Sequence, residues 1–367
     1  MSQYVRPTLW LTVVSLVFCS VCYPLVLWGI GQSVFPERAN GSIVMDQKTG
    51  EAIGSRLAGQ PFTKDEYFHP RPSAAGSGNG YNAATSGASN FGASNPLLRA
   101  RVAQQLGPIV NYKGPSPTGN TVQKDIEQWF AQWSKNHPNV KDGVVAKWAD
   151  TYPSVAAVWV KTDDPHKDYV KAWMKTHPEA VKEFVKAHPD NPQPQPEDLA
   201  TDFFKSYAKT HPGSFASYAV PEGKTEKVWQ DVKEGSDIHS FFFDMWLQEH
   251  PEVNLEQVPA DMVMSSGSGL DPDITLKNAL YQLDNRVAEA WARRIKGDLD
   301  KARDADKDRI NREVEELKTH LKTEIEQMLN EHAAAPLGGL LGGKLVNVLE
   351  MNLALRDKYA PLAQPTR

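Results

Sequence analysis

The chain has 367 residues, with 40 Lys and Arg against 45 Asp and Glu, for a net charge of −5. That balance is too mild to attract nucleic acid. With 40% hydrophobic and 23% charged residues the chain reads as folded rather than disordered. Its two cysteines, Cys19 and Cys22, lie inside an apolar run, so no disulfide framework and no Cys-based metal site is available elsewhere.

The first element is that run. Thr8 to Val34 carries no charge, and Trp10 and Trp28 stand 18 residues apart. On a helix that is roughly 27 Å, close to a hydrocarbon core of about 30 Å with an aromatic at each interface. A secretory signal would be shorter and followed by a small-residue cleavage site, and no A-x-A triplet follows here. The run is expected to be a retained transmembrane helix behind a short cytoplasmic head, residues 1–7. Pro24 is expected to kink it, with neighbouring helices satisfying the freed carbonyl. Residues 42–57 read as a hairpin: Ile43-Val44, a turn at Lys48-Thr49-Gly50, and a return at Ala52-Ile53.

A stretch of small residues follows, YFHPRPSAAGSGNGYNAATSGASNFGASNP over 67–96, rich in Gly, Ala, Ser and Asn and without an acid. It is too polar for a core and too varied for a linker. Such residues suit tight turns and dense side-chain-to-backbone hydrogen bonds. Leu97 to Leu106 then reads as a short amphipathic helix opened by Asn95-Pro96.

Residues 113–257 hold an irregular repeat: Trp133/His137, Trp173/His177, Phe184/His188, Tyr207/His211 and Trp246/His250, each His followed by Pro. Successive units are 40, 11, 23 and 39 residues apart, so the repeat is no rigid solenoid. Each unit is expected to end a helix, with the aromatic packed inward, His in the last turn and Pro unable to continue. A metal would need the histidines to converge. NPQPQP at 191–196 divides this mostly helical segment in two.

In 258–294, SSGSGLDPDI offers closely spaced backbone N–H groups as a candidate anion nest, followed by a turn at Asp271-Pro272 and a helix after Ile274-Thr275. No G-K-[ST] makes it a P-loop. Over 295–331, Ile310, Val314, Leu317, Leu321, Ile325 and Met328 form one apolar stripe on a long charged helix, 297–331. KLVNVLEMNLALRDKY is expected to return to the core.

Five blocks together resemble the C subunit (KdpC family) of the Kdp-type potassium-transporting P-type ATPase: RPTLWLTVVSLVFCSVCYPLVLWGIGQSVFP; GSIV with IGSRLAGQPF; YFHPRPSA with YNAATSGASNFGASNPLL; MVMSSGSGLDPDIT with YQLDNRVAEA; and LVNVLEMNLAL. The resemblance covers 6–108, 258–296 and 335–356. It departs at 113–257, which has no recognised counterpart, at the longer charged helix 297–331, and at Asp273, where the family commonly has His.

The resemblance implies an α+β extracytoplasmic domain in two parts, 35–112 and 258–367, on one transmembrane helix, 8–34, with a helical insertion at 113–257. It implies a bacterial inner-membrane protein, amino terminus cytoplasmic and body periplasmic. As an accessory or chaperone subunit, it would stabilise a potassium-conducting and an ATP-hydrolysing subunit and raise the latter's ATP affinity. It carries no catalytic residue and no firmly held cofactor or metal, and ATP is met only through the complex. The family's Ser-Gly signature, read as nucleotide-contacting, falls on Ser265, Ser266, Gly267, Ser268 and Gly269. A body outside the membrane cannot reach cytoplasmic ATP, and neither a loop lysine nor a paired Mg-binding carboxylate accompanies the stretch. Docking on the potassium-conducting subunit is assigned to the small-residue loop, with Tyr81 and Phe91 as apolar anchors and Asn82, Ser86, Gly87, Ser89, Asn90, Ser94 and Asn95 around them.

Two other classes fit parts of the sequence. An anchored binding protein would use the aromatic-His-Pro helices as its recognition surface. A membrane-anchored hydrolase would use His69, Ser73 and Asp65, or Asp271 near Ser268, but proximity in sequence makes no triad.

Overall fold

The computed structural model describes residues 2–46, 49–76, 80–220, 226–296, 304–335, 339–340 and 342–362. The chain forms two compact units. One comprises 1–70, 271–276 and 285–367; the other comprises 71–270 and 277–284.

The first unit begins with α1 (Ser2–Val17), a π-helical turn (Phe18–Cys22) and α2 (Tyr23–Val34). Together they make one helix long and apolar enough to cross a membrane, Tyr4–Val34, with none of its surface buried in the protein. Pro24 lacks an N–H, and its ring excludes the carbonyl four residues back. The helix widens here by one residue, and the Tyr23 N–H reaches back to the Phe18 carbonyl. A short α3 (Pro36–Ala39) leads to the hairpin, where β1 (Ile43–Met45) pairs antiparallel with β2 (Ala52–Ser55). Asp46 shapes the turn: its carboxylate accepts from the Thr49 N–H and its carbonyl from that of Gly50. Lys48 lies outside the described residues.

The second unit opens on the small-residue loop and α4 (Pro96–Leu106), with Asn95 capping it by accepting from the Leu97 N–H at 2.9 Å. There follow α5 (Val122–Asn136), α6 (Gly143–Thr151), α7 (Pro153–Val160), α8 (Asp164–Thr176), α9 (Pro178–Ala187) and α10 (Ala200–Thr210). An antiparallel pair, β3 (Phe215–Ala219) with β4 (Val228–Val232), precedes α11 (Ser236–Glu249). A single aromatic-rich core joins these elements apart from α9, which buries no residue. Trp148 meets Phe204, Phe215 and Phe242 edge-on or tilted at 5.0–5.4 Å, and Trp159 meets Phe204 at 4.8 Å. Ala100 and Ala103 of α4 belong to the same cluster.

All five aromatic-His-Pro units end helices: α5, α8, α9, α10 and α11. The histidine is the residue after the helix, not in its last turn. Its Nδ1 donates to the carbonyl of the aromatic four residues back, at 2.9, 3.0, 3.1, 3.3 and 2.8 Å in chain order. The imidazole also stacks on that aromatic, at 4.1–5.2 Å between ring centres. In α5, α8, α9 and α10 the imidazole thus adds a second bond to a carbonyl that already accepts the histidine's own backbone N–H; at the end of α11 that N–H goes to Leu247 and the ring serves the Trp246 carbonyl.

The chain returns to the first unit with β5 (Asp273–Thr275). All of α12 (Leu276–Gln282) but its first residue belongs to the second unit. After a π-helical turn (Leu283–Val287) come α13 (Ala288–Lys296), α14 (Asp304–His332), β6 (Leu345–Asn347) and α15 (Val348–Tyr359). Strands β5 and β6 pair antiparallel, Ile274 opposite Val346. The expected stripe on α14 is present: Val314, Leu321 and Ile325 are buried, Ile310, Leu317 and Met328 half-buried, and Leu329 extends it. Residues 297–303 of the expected helix lie outside the described residues. The closing segment does return to the core, burying Val346, Leu349, Met351 and Leu355.

Candidate functional site

In the second unit the two Gly/Ser signatures form one interlocked structure. The Gly87 N–H donates to the Ser268 carbonyl at 2.8 Å, and Ser86 Oγ donates to the same oxygen at 3.0 Å. Ser73 is the hub. Its hydroxyl donates to the Gly269 carbonyl at 2.6 Å and accepts from the N–H groups of Ala75 and Tyr81 at 3.1 and 2.9 Å. One donor and both lone pairs are thereby used. Ser265 Oγ lies 3.4 Å from Ser89 Oγ, and Arg71 donates to the Ser265 carbonyl at 3.5 Å.

This closeness requires glycine at 269. Its φ is +68°, and an added Cβ would stand 2.6 Å from the Gly87 carbonyl oxygen and 2.8 Å from the Ala75 nitrogen. Tyr81 and Asn90 adopt left-handed backbone, φ 62° and 54°, as sharp reversals in the partner loop demand.

The predicted residues divide accordingly. Ser266 and Gly269 are buried, and Gly267 and Ser268 are exposed. Ser268 Oγ accepts from the Leu270 N–H at 3.1 Å, and the Gly269 N–H donates to the Ser266 carbonyl at 3.3 Å. Tyr81 and Phe91 are half-buried. The Tyr81 hydroxyl donates to the Arg71 carbonyl, and the Arg101 guanidinium lies 5.8 Å above the Phe91 ring. Both aromatics thus brace the loop they belong to. Asn82 and Asn95 cap the turns at Ala84 and Leu97, and Asn82, Ser86, Asn90 and Ser94 are exposed.

In the first unit the YFHP segment is held by two residues the sequence reasoning missed. Asn352 is 2% exposed; its Oδ1 accepts from the Phe68 N–H at 2.8 Å and its Nδ2 donates to the Phe68 carbonyl at 2.9 Å. A strand neighbour would offer the same pair of bonds. Arg286, on the π-helical turn, donates to the Tyr67 carbonyl at 3.2 Å and to His69 Nδ1 at 2.6 Å. His69 Nε2 meets the Lys64 carbonyl at 3.2 Å and must donate there, which makes Nδ1 the acceptor for Arg286. Burial, then the Arg286 charge, pulls the His69 pKa down to about 4. A signal was present for Asn352: a lone amide on an otherwise apolar helix face. His69 and Ser73 each have these partners. Asp273 accepts from Asn347 Nδ2 at 3.1 Å, and burial raises its carboxyl above the ordinary range, with Asp271 and Glu350 adding to the shift.

The model of one family, KdpC, "K+-transporting ATPase, c chain", matches residues 5–142 and 217–298, more than half of the chain. The chain belongs to the KdpC family. Among similar proteins, the potassium-transporting ATPase KdpC subunit of Koribacter versatilis is 43% identical over 116 residues, 32% of this chain and 56% of the relative. That of Pseudomonas syringae pv. tomato is 43% identical over 118 residues, 32% and 60%. That of Rhodospirillum rubrum is 39% identical over 143 residues, 36% and 72%. The chain spans about half the length of most curated KdpC relatives it matches. The KdpC match breaks between 142 and 217, which removes α6 to α10.

Proposed function

We propose that this chain is the accessory subunit of an ATP-driven potassium uptake complex. Tyr4–Val34 spans the inner membrane with the amino terminus in the cytoplasm, and the chain beyond the span stands on the periplasmic side. There the interlocked loops, 71–95 over 265–270, dock on the potassium-conducting subunit, and assembly stabilises the ATP-hydrolysing subunit and raises its ATP affinity. The observation carrying this is the lock itself. Its backbone is held by Ser73, Gly87 and Gly269 while Asn82, Ser86, Asn90 and Ser94 face outward, a preorganised polar surface of the kind that binds without further ordering cost.

In this proposal Ser265–Gly269 is the inner half of the lock, and no ATP contact is assigned to it. Support comes from its carbonyls at 268 and 269 and its hydroxyls at 265 and 268, all engaged within the loops.

The test is co-purification of a tagged chain with the other subunits, with potassium-stimulated ATP hydrolysis measured on the product. Ala93→Trp and Ser94→Trp, both at exposed positions, are expected to cut recovery of the complex at least tenfold while leaving the chain's own thermal unfolding unchanged. Ser268→Ala is expected to leave the apparent ATP affinity unchanged. Full assembly of the Trp variants would sink the docking surface; a weakened ATP affinity in an intact Ser268→Ala complex would return the stretch to nucleotide contact.

A further inference from the structure

The first unit leaves its apolar helix without slack. The Phe35 N–H continues the helix to the Gly31 carbonyl at 2.9 Å, and Gln32 and Asn40 exchange side-chain hydrogen bonds of 3.1 and 3.3 Å across α3. The Gly41 and Ser42 N–H groups bond back to Arg38 and Glu37 at 3.0 and 2.9 Å. The hairpin is tied to this turn twice, by Ser55 Oγ donating to the Gly41 carbonyl at 2.6 Å and by the Arg56 N–H donating to that of Ser42 at 3.1 Å. The Arg56 guanidinium bridges Glu37 and, at 2.7 Å, Glu350 of α15. Helix end, α3, hairpin and α15 are thus braced together.

Within the hairpin so held, Val44, Met45 and Ile53 line a cavity with Leu353 and Ala360. The pairing shifts register between Val44 and Met45, and Ile43 and Met45 are each 52% exposed; Leu57, just past β2, is 54% exposed. These exposed aliphatics follow closely on the apolar helix, which ends nine residues before Ile43.

Resting on the assignment of Tyr4–Val34 as a membrane span, we propose that this hairpin face lies in the headgroup layer of the same bilayer, with Ile43, Met45 and Leu57 inserted among the lipids. The interfacial layer is roughly 6 Å deep on each side of the hydrocarbon, within reach of so short and fully bonded a connection. The exposed side chains are aliphatic rather than aromatic, which suits a fluid surface better than a protein hot spot. Exposed Arg38 on α3 supplies a cation at the level of lipid phosphates. The hairpin then acts as a foot that fixes how the unit is oriented over the membrane.

The test uses the full chain with Cys19 and Cys22 replaced by Ser, and a single cysteine placed at Met45, at Val21 in the span, or at Glu179 on exposed α9. Each carries an environment-sensitive fluorophore and is reconstituted in vesicles of mixed phosphatidylcholine and phosphatidylglycerol, with or without brominated acyl chains. Labels at 45 and 21 are expected to lose at least half their emission to bromine, and the label at 179 none. With Ile43→Glu added, the quenching at 45 should fall by half or more. A label at 45 that stays unquenched while that at 21 is quenched overturns the foot and leaves the span standing. No quenching at either overturns both. Quenching at 45 that disappears once the other subunits are bound would assign the face to a protein neighbour and overturn the lipid occupant.

Discussion

The His69 imidazole is neutral because both its nitrogens are already committed, Nε2 as donor to Lys64 and Nδ1 as acceptor from Arg286. A second proton would sit against a guanidinium in a site short of water, and the pKa falls from 6.5 to about 4. The unfolded chain therefore binds this proton first. Between pH 6.5 and 4 stability falls with falling pH, and the contribution is absent below both values. It amounts to on the order of 2 kcal/mol, taking about 1.4 per pKa unit and discounting for partial exposure. Urea midpoints of the detergent-solubilised chain should show a steeper acid loss for the natural protein than for His69→Gln; parallel profiles would mean that His69 is free to protonate. His69 itself was visible in the sequence, but Arg286 lies more than two hundred residues away, and nothing local pairs them. Gly269 is a similar case. Its presence in a Gly/Ser run suggested a turn, whereas its actual constraint is the approach of Gly87 and Ala75.

Among elements, the helix stops were the most legible, because everything they use lies within six consecutive residues. Aromatic, histidine and proline were read as a terminator, and the structure adds the chemistry: the imidazole bonds the aromatic's carbonyl and stacks on its ring. His137→Ala should remove one such bond and one stacked contact at the end of α5, a loss of about 1–2 kcal/mol. Differential scanning calorimetry would check it, and a change within error would show that water replaces the cap without loss. His137→Gln should recover little, since the planar stack is lost with the ring. The β3–β4 pair went unread. FASYA and VWQDV alternate weakly, and their pairing is decided by burial of Phe215 and Ala216 against α-helices distant in the chain. The π-helical turn before Pro24 was likewise anticipated only as a kink. The proline dictates that a carbonyl is freed, but one extra residue per turn is a solution available to the helix alone.

For the molecule as a whole, the KdpC match omits 143–216, yet the aromatic core of the second unit is built from both sides of that gap. Trp148 and Phe215 from within it pack on Phe241 and Phe242 from outside it. Removing 143–216 should therefore strip the buried face of α11 and leave the second unit unable to fold cooperatively, each large apolar side chain left exposed costing about 1.5–3 kcal/mol. Limited proteolysis of the deleted chain should cut within α4, α5 and α11, whereas a protected fragment of native-like stability would show that the matched segments fold without the insert. What the sequence determined by itself was what is periodic or local: an apolar run of membrane length, helix ends, a stripe on α14, and the ordered signatures that place the chain among KdpC proteins. Those depend on neighbours along the chain. Only the tertiary structure decided that Ser73, Gly87 and Gly269 form one lock, that Asn352 and Arg286 hold the YFHP segment, and that the 143–216 stretch shares a core with its flanks. Hydrogen bonds across 180 to 280 residues and burial in a common core leave no periodic trace, because any pair of small or polar residues could have made them until the fold chose which.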